Sequence, residues 1–499
     1  MSQKASIPTY IGELPITYCD YAASGRAAET IEKYVHEQVL PYYANTHSDS
    51  SFCGRHTSRL RESARKTIRD ALGADHNHAV LFAGSGATGA VDKLIRLLDQ
   101  VYEPESLEVF IGPYEHHSND LPWRASKWRT RRIALDRSGV IDVNALATAL
   151  ADSTASHRIV AVSAVSNVTG LITDLEGIVR VCRANNTDIV LDCAAAAPYL
   201  PLSELFAEGA VSALFWSAHK FSGGPGASGV LAVKQEWLRA PEPVVKGGGT
   251  VRFVSNSRCD LVADLVRRHE GGTPNILGDI RAALALQLKF SKGELWLAKQ
   301  YLSLARIVRS RLQKIPNLKV LGPTSGNFMP TVAFNIVSRD RILPYGQVVA
   351  LLSDLYGIQA RGGCSCAGPY AHELLNISEK DSERIACEIG NDSDGLRPGW
   401  VRVSFSDSMT CEEVGFVLDA IEQIANHAGL LRTLIDDDLL VRPSLLPTKA
   451  VLDFDLFESS VPKKAAEDVN YSNIIVRALA WLERMQNHCP KSVDDTLYL

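Results

Sequence analysis

The chain has 499 residues, 46% hydrophobic and 22% charged, enough for two or more domains with substantial cores. Its 52 Lys and Arg against 57 Asp and Glu give a formal net charge of -5, so no basic field points to nucleic acid or an acidic membrane surface, and a small-molecule site is expected. Met1 to Tyr10 lack the basic-then-apolar pattern of a signal peptide, no apolar run reaches the roughly 18 residues of a membrane span, and most of the cysteines are isolated, which predicts a cytoplasmic protein without a disulfide framework.

From about Val80 to Val233 short apolar runs alternate with helix-like stretches: Ala79–Phe82, Leu107–Ile111, Ile159–Val162, Ile189–Leu191 and Ala213–Phe215. Near-continuous hydrophobicity in strands separated by helices predicts a mostly parallel sheet buried on both faces, an α/β architecture. Ligands of such sheets bind beyond the carboxyl ends of the strands, so the residues just after each run hold the chemistry. After the first run, Gly84-Ser85-Gly86-Ala87-Thr88-Gly89 leads into a helix whose converging amide groups suit a phosphate, with Thr88 as a hydroxyl donor; a plain tight turn is the rival reading. His116 and His117 follow the second run. An imidazole there can stack on an aromatic ring and move protons, whereas no cysteine or carboxylate set with zinc-like spacing accompanies the pair, so no metal is expected. Asn167, past the third run, can bond an oxygen on a bound ring or simply form a turn.

Asp192 closes the fourth run and is followed by Cys193-Ala194-Ala195-Ala196-Ala197, small residues that let something flat approach. A carboxylate there can keep a pyridine nitrogen protonated, or it can cap the next helix. Roughly one crossover unit later, the apolar Phe215-Trp216 opens into Ser217-Ala218-His219-Lys220 and then glycines. A lysine at such an edge can lose solvation and become the nucleophilic amine that a Schiff base with a carbonyl substrate or with pyridoxal phosphate requires; a surface lysine is the plainer alternative.

Lys246-Gly247-Gly248-Gly249-Thr250 is a second glycine cluster able to approach a phosphate, or a flexible loop. A helical region over about Leu277 to Ile315, with Gly293 its one breaker, connects to a smaller α+β unit whose Thr331–Ile336 and Trp400–Phe405 alternate as half-buried strands do. Arg402 on the latter needs an anion, either a substrate carboxylate or an internal partner. The expected organisation is an N-terminal arm (1–17), a large cofactor-binding domain with its connecting helix (18–300), a small C-terminal domain (301–430) and an appended segment (431–499). That segment holds Asp436-Asp437-Asp438, Pro443, Pro447 and a predicted helix from Tyr471 to Met485.

Together with Tyr18-Cys19-Asp20-Tyr21-Ala22-Ala23, Gly271-Gly272-Thr273-Pro274 and Arg361-Gly362-Gly363-Cys364-Ser365-Cys366-Ala367, these segments resemble, in order over about Tyr18 to Ser406, the class V aminotransferase family of fold type I pyridoxal-phosphate enzymes. Within it the chain is most similar to the group II cysteine desulfurases and selenocysteine lyases. The resemblance implies Lys220 as the Schiff-base lysine, Asp192 at the pyridine nitrogen and His116 stacked on the ring. It places Gly86, Ala87, Thr88, Ser217 and His219 at the phosphate, Asn167 near the ring hydroxyl, and Arg402 with Arg361 at the substrate carboxylate. It implies a homodimer, with Thr250 serving the neighbouring subunit's phosphate, and a protein sulfur acceptor.

Cys366 matches the cysteine that takes sulfur as a persulfide, on a loop that Gly362, Gly363 and Gly368 are expected to make mobile. Two departures stand out: Ala195 occupies the position usually held by Gln, and Cys364-Ser365 replace a frequent pair of histidines, similar to the loop of molybdenum-cofactor sulfurases. Cys364 is thereby a candidate partner thiol for Cys366. The alternatives to cysteine desulfuration are another class V reaction, transamination or epimerisation, that needs no thiol, and a non-catalytic descendant of the fold that binds a partner through its tail.

Overall fold

The computed structural model describes residues 5–46, 48, 50–74, 77–205, 210–339, 341–389, 397–436 and 469–488. Its main sheet contains β1 (His78–Ala83), β2 (Leu107–Ile111), β3 (Arg129–Arg132), β4 (His157–Ser163), β5 (Asp188–Asp192), β6 (Ala213–Ser217) and β7 (Gly229–Lys234), in the spatial order β1-β7-β6-β5-β4-β2-β3. Neighbours run parallel except β7, which is antiparallel to both β1 and β6. The sense of β7 follows from chain length: the Ala218–Ser228 connection is too short for the crossover that a parallel return requires.

The continuous hydrophobicity of the central strands has a direct cause. Val160, Val162, Ile189, Leu191, Leu214 and Trp216 face one core, while Ile159, Ala161, Val190, Ala213 and Phe215 face the other. Edge strand β3 escaped the sequence reading because its residues, Arg-Thr-Arg-Arg, carry no apolar signal; its parallel backbone pairing to β2 holds it, with Arg131 and Arg129 at 3.1 and 3.4 Å from Glu108.

Helices α1 (Phe52–Leu72) and α2 (Gly86–Leu98) flank this sheet. The predicted connecting region is two helices, α3 (Ile276–Ser291) and α4 (Glu294–Leu312), broken where Gly293 takes φ +81°. A second, antiparallel sheet follows, with β8 (Leu318–Val320), β9 (Thr331–Ser338), β10 (Arg361–Gly363) and β11 (Trp400–Ser404) in the order β8-β9-β11-β10.

Strands β9 and β11 are buried almost throughout, which corrects the expectation of half-buried strands. Their alternation is real, but neither face meets water. Val332, Phe334, Ile336, Val401 and Val403 pack in the small core, while Ala333 and Trp400 join the large one.

Helix α5 (Gly368–Leu375) follows the cysteine loop and α6 (Cys411–Asn426) covers the small sheet. The predicted tail helix is present as α7 (Tyr471–His488); it packs on α6 and buries Ile474, Ala478 and Leu482. It also grips the N-terminal arm, where Trp481 stacks on Tyr10 at 5.2 Å and Arg477 donates to the Ile11 carbonyl. Asp437, Asp438, Pro443 and Pro447 lie outside the described residues.

Candidate active site

The loops after β1, β2, β4, β5 and β6 converge with β10 and β11 around an open cleft. Ala87, Thr88, His116, Asn167, Asp192, Ser217, His219, Lys220, Arg361, Cys366 and Arg402 all line it. Thr250 does not: it is buried elsewhere, its hydroxyl donating to the Gly247 carbonyl at 2.7 Å. Cys364 is also outside the lining, half-buried at the edge of the large core.

One corner suits a phosphate. Gly86 takes φ +61°, and a Cβ there would stand 2.7 Å from Ser217 Oγ, so only glycine lets the Ser217 hydroxyl accept from the Ala87 amide at 2.8 Å. That amide belongs to the first turn of α2, where unpaired N–H groups and the helix dipole favour an anion. Thr88 Oγ1 lies 2.7 Å from Ser118 Oγ, which in turn lies 3.1 Å from His116 Nδ1. The sequence assigns Ser118 no role of its own, although it lies in the Glu115-His116-His117-Ser118-Asn119 segment, two residues after His116.

The floor suits a protonated ring nitrogen and a carbonyl carbon. Asp192 is buried at the end of β5, where its Oδ1 accepts from the Ala194 amide at 2.8 Å. Burial raises its pKa, with the Ala194 bond and Lys220 opposing, so the carboxylate lacks the strong cationic partner it demands. Burial lowers the Lys220 pKa to about 8 against the pull of Asp192, and no ion pair holds this amine among the described residues. It is therefore readily deprotonated near neutral pH.

His116 is neutral: burial, then Lys220 and His117, push its pKa down to about 3. Because its Nδ1 accepts from the Ser118 amide at 3.1 Å, the proton resides on Nε2.

The opposite wall carries two guanidinium groups and a thiol. Arg402 donates to the Asn167 carbonyl at 3.0 Å and to Asp20 Oδ1 at 2.9 Å, while Arg361 Nε donates to Asp20 Oδ2 at 2.9 Å. Arg402 therefore has an internal anionic partner, Asp20. The sequence signal for it was the unmet need of a buried arginine for an anion.

The cysteine loop is tied down, contrary to the mobility expected of its glycines. Gly362 and Gly363 pair with Val401 and Trp400, the Gly368 amide donates to His117 Nε2 at 3.0 Å, and the His117 amide donates to the Cys366 carbonyl at 2.7 Å. Asn167 Nδ2 adds a bond to the Ser365 carbonyl at 2.8 Å. Cys366 itself remains exposed to the cleft.

Comparison with known proteins agrees with this chemistry. The chain is 28% identical over 359 residues to a probable cysteine desulfurase of Halalkalibacterium halodurans, covering 71% of this chain and 85% of that one. It is 27% identical over 364 residues to a cysteine desulfurase of Yersinia pestis, with the same coverage. Among solved structures, the apo cysteine desulfurase of Thermococcus onnurineus matches with a TM-score of 0.70 at 24% identity, over 82% of this chain and 95% of that one. The Escherichia coli cysteine desulfurase CsdA matches at 0.66 and 23%, over 82% and 94%. These likenesses give the fold as that of the fold type I pyridoxal-phosphate enzymes, as the order of motifs predicted. Since the Aminotransferase class-V description matches residues 17–417, the whole span from the arm to α6, the chain belongs to the class V aminotransferase family of pyridoxal-phosphate-dependent enzymes.

Proposed function

We propose that the protein binds pyridoxal phosphate and removes sulfur from L-cysteine, or selenium from selenocysteine, leaving alanine. The observation that carries this reading is that Cys366 lines the same cleft as Lys220, Asp192 and the two guanidinium groups. The residues fit the cofactor: a glycine-dependent hydroxyl and amide cradle for its phosphate, a buried carboxylate in need of a cation, and an amine that makes no ion pair among the described residues. Bound there, the cofactor supplies an electron sink for the negative charge that develops on the substrate carbon skeleton as the C–S bond breaks.

The chain's own groups do the rest. Gly86, Ala87, Thr88, Ser217 and His219 would hold the phosphate, Asp192 would keep the ring nitrogen protonated, and His116 and Asn167 would serve the ring and its oxygen. Lys220 Nζ, poised at about 8, accepts and returns a proton at the substrate carbon. Arg402 and Arg361 orient the substrate carboxylate. Cys366 Sγ, as thiolate, attacks the substrate sulfur; the C–S electron pair stays with carbon, a proton completes the methyl group of alanine, and the sulfur remains on Cys366 as a persulfide.

The exposed position of Cys366 suits delivery of that sulfur to an acceptor protein. A homodimer is the proposed unit, supported by exposed Tyr42, Tyr43, Phe52, Phe253 and Val254; for Thr250 to serve the partner's phosphate, its hydroxyl would have to leave the Gly247 carbonyl. The domain division at 300 and 430 and a cytoplasmic location complete the proposal.

The test is to incubate the protein with pyridoxal phosphate and L-cysteine and to assay sulfide, alanine and keto acid together, with mass spectrometry of the protein. With dithiothreitol present to reduce the persulfide, equal sulfide and alanine are expected; without it, alanine is matched by a persulfide on Cys366. Loss of both products in Cys366→Ser with cofactor absorbance retained supports the reading. Undiminished turnover in that variant, or keto acid in place of alanine, refutes it in favour of a thiol-independent class V reaction.

A further inference from the structure

A chain of polar groups runs along the phosphate corner, and the Ser118 hydroxyl is its middle member. Ser118 lies on the short helical turn His117–Asn119, is 9% exposed and lines the cleft. Its Oγ stands 2.7 Å from Thr88 Oγ1 and 3.1 Å from His116 Nδ1, and it is the one protein hydrogen-bond partner of the Thr88 side chain among the described residues. A hydroxyl has one proton to give, so the chain runs in one of two senses: Thr88 to Ser118 to His116, or Ser118 to Thr88 with the Thr88 proton left for the cleft. The backbone decides between them. The Ser118 amide, an obligatory donor, already meets the single Nδ1 lone pair at 3.1 Å, so a second donor there has to share it. The Thr88 hydroxyl meanwhile is exposed to the cleft from the first turn of α2, beside the Ala87 amide, where an anion is favoured. A Thr88 oxygen that accepts from Ser118 turns its own proton to that anion; one that donates to Ser118 shows the anion only lone pairs.

We propose that Ser118 is a positioning residue for the cofactor phosphate: its hydroxyl donates to Thr88 Oγ1 and thereby aims the Thr88 proton at the phosphate. This rests on the cofactor proposed above, and it adds a residue that acts on the phosphate only through another. In the open cleft water can bond Thr88 Oγ1 in place of Ser118, whereas an anion filling the corner shields that oxygen from water. The Ser118 hydroxyl is therefore felt when the phosphate is bound, and its loss should weaken the cofactor by roughly two- to tenfold, the worth of one neutral hydrogen bond.

The test measures binding, so it does not depend on turnover. Pyridoxal phosphate and pyridoxal, which differ only in the phosphate, are each titrated into the apoprotein, with visible absorbance reporting attachment to Lys220. In Ser118→Ala the dissociation constant of pyridoxal phosphate should rise about two- to tenfold while that of pyridoxal keeps its wild-type value. Ser118→Thr, which keeps the hydroxyl, should restore the wild-type ratio. In a Thr88→Val background Ser118→Ala should have no further effect on pyridoxal phosphate, because the group it acts through is gone. An unchanged ratio of the two constants overturns the proposal. So does an equal loss of both, which would route Ser118 through His116 to the ring or through the fold at large.

Should Ser118→Ala fail to fold or to load cofactor, Ser118→Cys decides the matter. Its thiol keeps the shape of the serine but is a weak donor, so the same selective loss of pyridoxal phosphate is expected, and a wild-type ratio overturns the proposal. The two readings fail separately. A wild type that takes up neither probe sinks the proposed function, whereas one that desulfurates cysteine while Ser118→Ala keeps the wild-type ratio sinks the assignment of Ser118 alone.

Discussion

Gly86→Ala tests the phosphate cradle where it is least forgiving. The substitution acts twice. Gly86 has φ +61°, and holding an L-residue there costs about 1–2 kcal/mol, which should appear as lost stability. The new Cβ would also stand 2.7 Å from Ser217 Oγ and 3.3 Å from its Cβ, so Ser217 must turn away from the Ala87 amide it now meets at 2.8 Å. A hydrogen bond to a charged group is worth about 1.5–3 kcal/mol, so the cofactor dissociation constant should rise roughly 10- to 150-fold. The control lies three residues on. A Cβ at Gly89 meets nothing nearer than Ser85 Cβ at 3.5 Å, and alanine there should leave cofactor affinity unchanged while adding about 1 kcal/mol of helix propensity. Titrating the apoprotein with pyridoxal phosphate by fluorescence, alongside thermal melts of all three proteins, separates the effects. If Gly86→Ala binds the cofactor as the wild type does, or if Gly89→Ala weakens it equally, the Ser217–Ala87 corner does not hold the phosphate.

Glu270 is buried among Arg61, Arg65 and the Phe82 amide; burial pushes its pKa up, but Arg65 and Arg61 pull it down to about 2. Glu270→Gln leaves two buried guanidinium groups short of charge and should cost about 3–5 kcal/mol in denaturant unfolding; less than about 1 kcal/mol would show the network to be solvated. Lys220 titrates at about 8 when folded and about 10.4 when unfolded, so between these values the unfolded chain holds more protons and stability rises with pH. The apoprotein's stability relative to Lys220→Met should therefore climb across that window, and a flat difference would place the amine in water. In the tail, Leu482→Ala removes a fully buried side chain from the α6–α7 contact and should cost about 2–4 kcal/mol, read as exposure of the N-terminal arm in hydrogen exchange; unchanged protection of residues 9–18 would separate the tail from the arm.

What the sequence made legible were the strand ends. Thr88, His116, Asn167, Asp192 and Lys220 were each found by looking one step past an apolar run, because a doubly covered parallel sheet writes its strands as uninterrupted hydrophobicity. The same rule is blind to β3, an edge strand of polar side chains. It is blind as well to Asp20, which joins Arg402 through an isolated bridge between Asp20 and Ser404. Pairing across that much of the chain leaves no local pattern. Arg402 itself announced only that it needed an anion, and two anions, one internal and one a substrate, satisfy the same sequence.

The cysteine loop shows why glycine content alone misleads. Ser365 and Cys366 both lie in the left-handed region, at φ +54° and +56°, a conformation that costs non-glycine residues about 1–2 kcal/mol each. That cost is met by bonds from both units: His117 and Asn167 of the large one, and Trp400 of β11, whose Nε1 donates to Ser365 Oγ at 3.2 Å. The glycines serve close approach. A Cβ on Gly362 would stand 2.7 Å from the Tyr345 ring, and one on Gly399 2.7 Å from the Gly363 backbone. The result is a strained turn held at both ends, with its thiol in the cleft and its neighbour Cys364 turned to the core. For the proposed reaction the consequence is positional: the clamps on both sides of the turn fix where the Cys366 thiol meets the substrate sulfur.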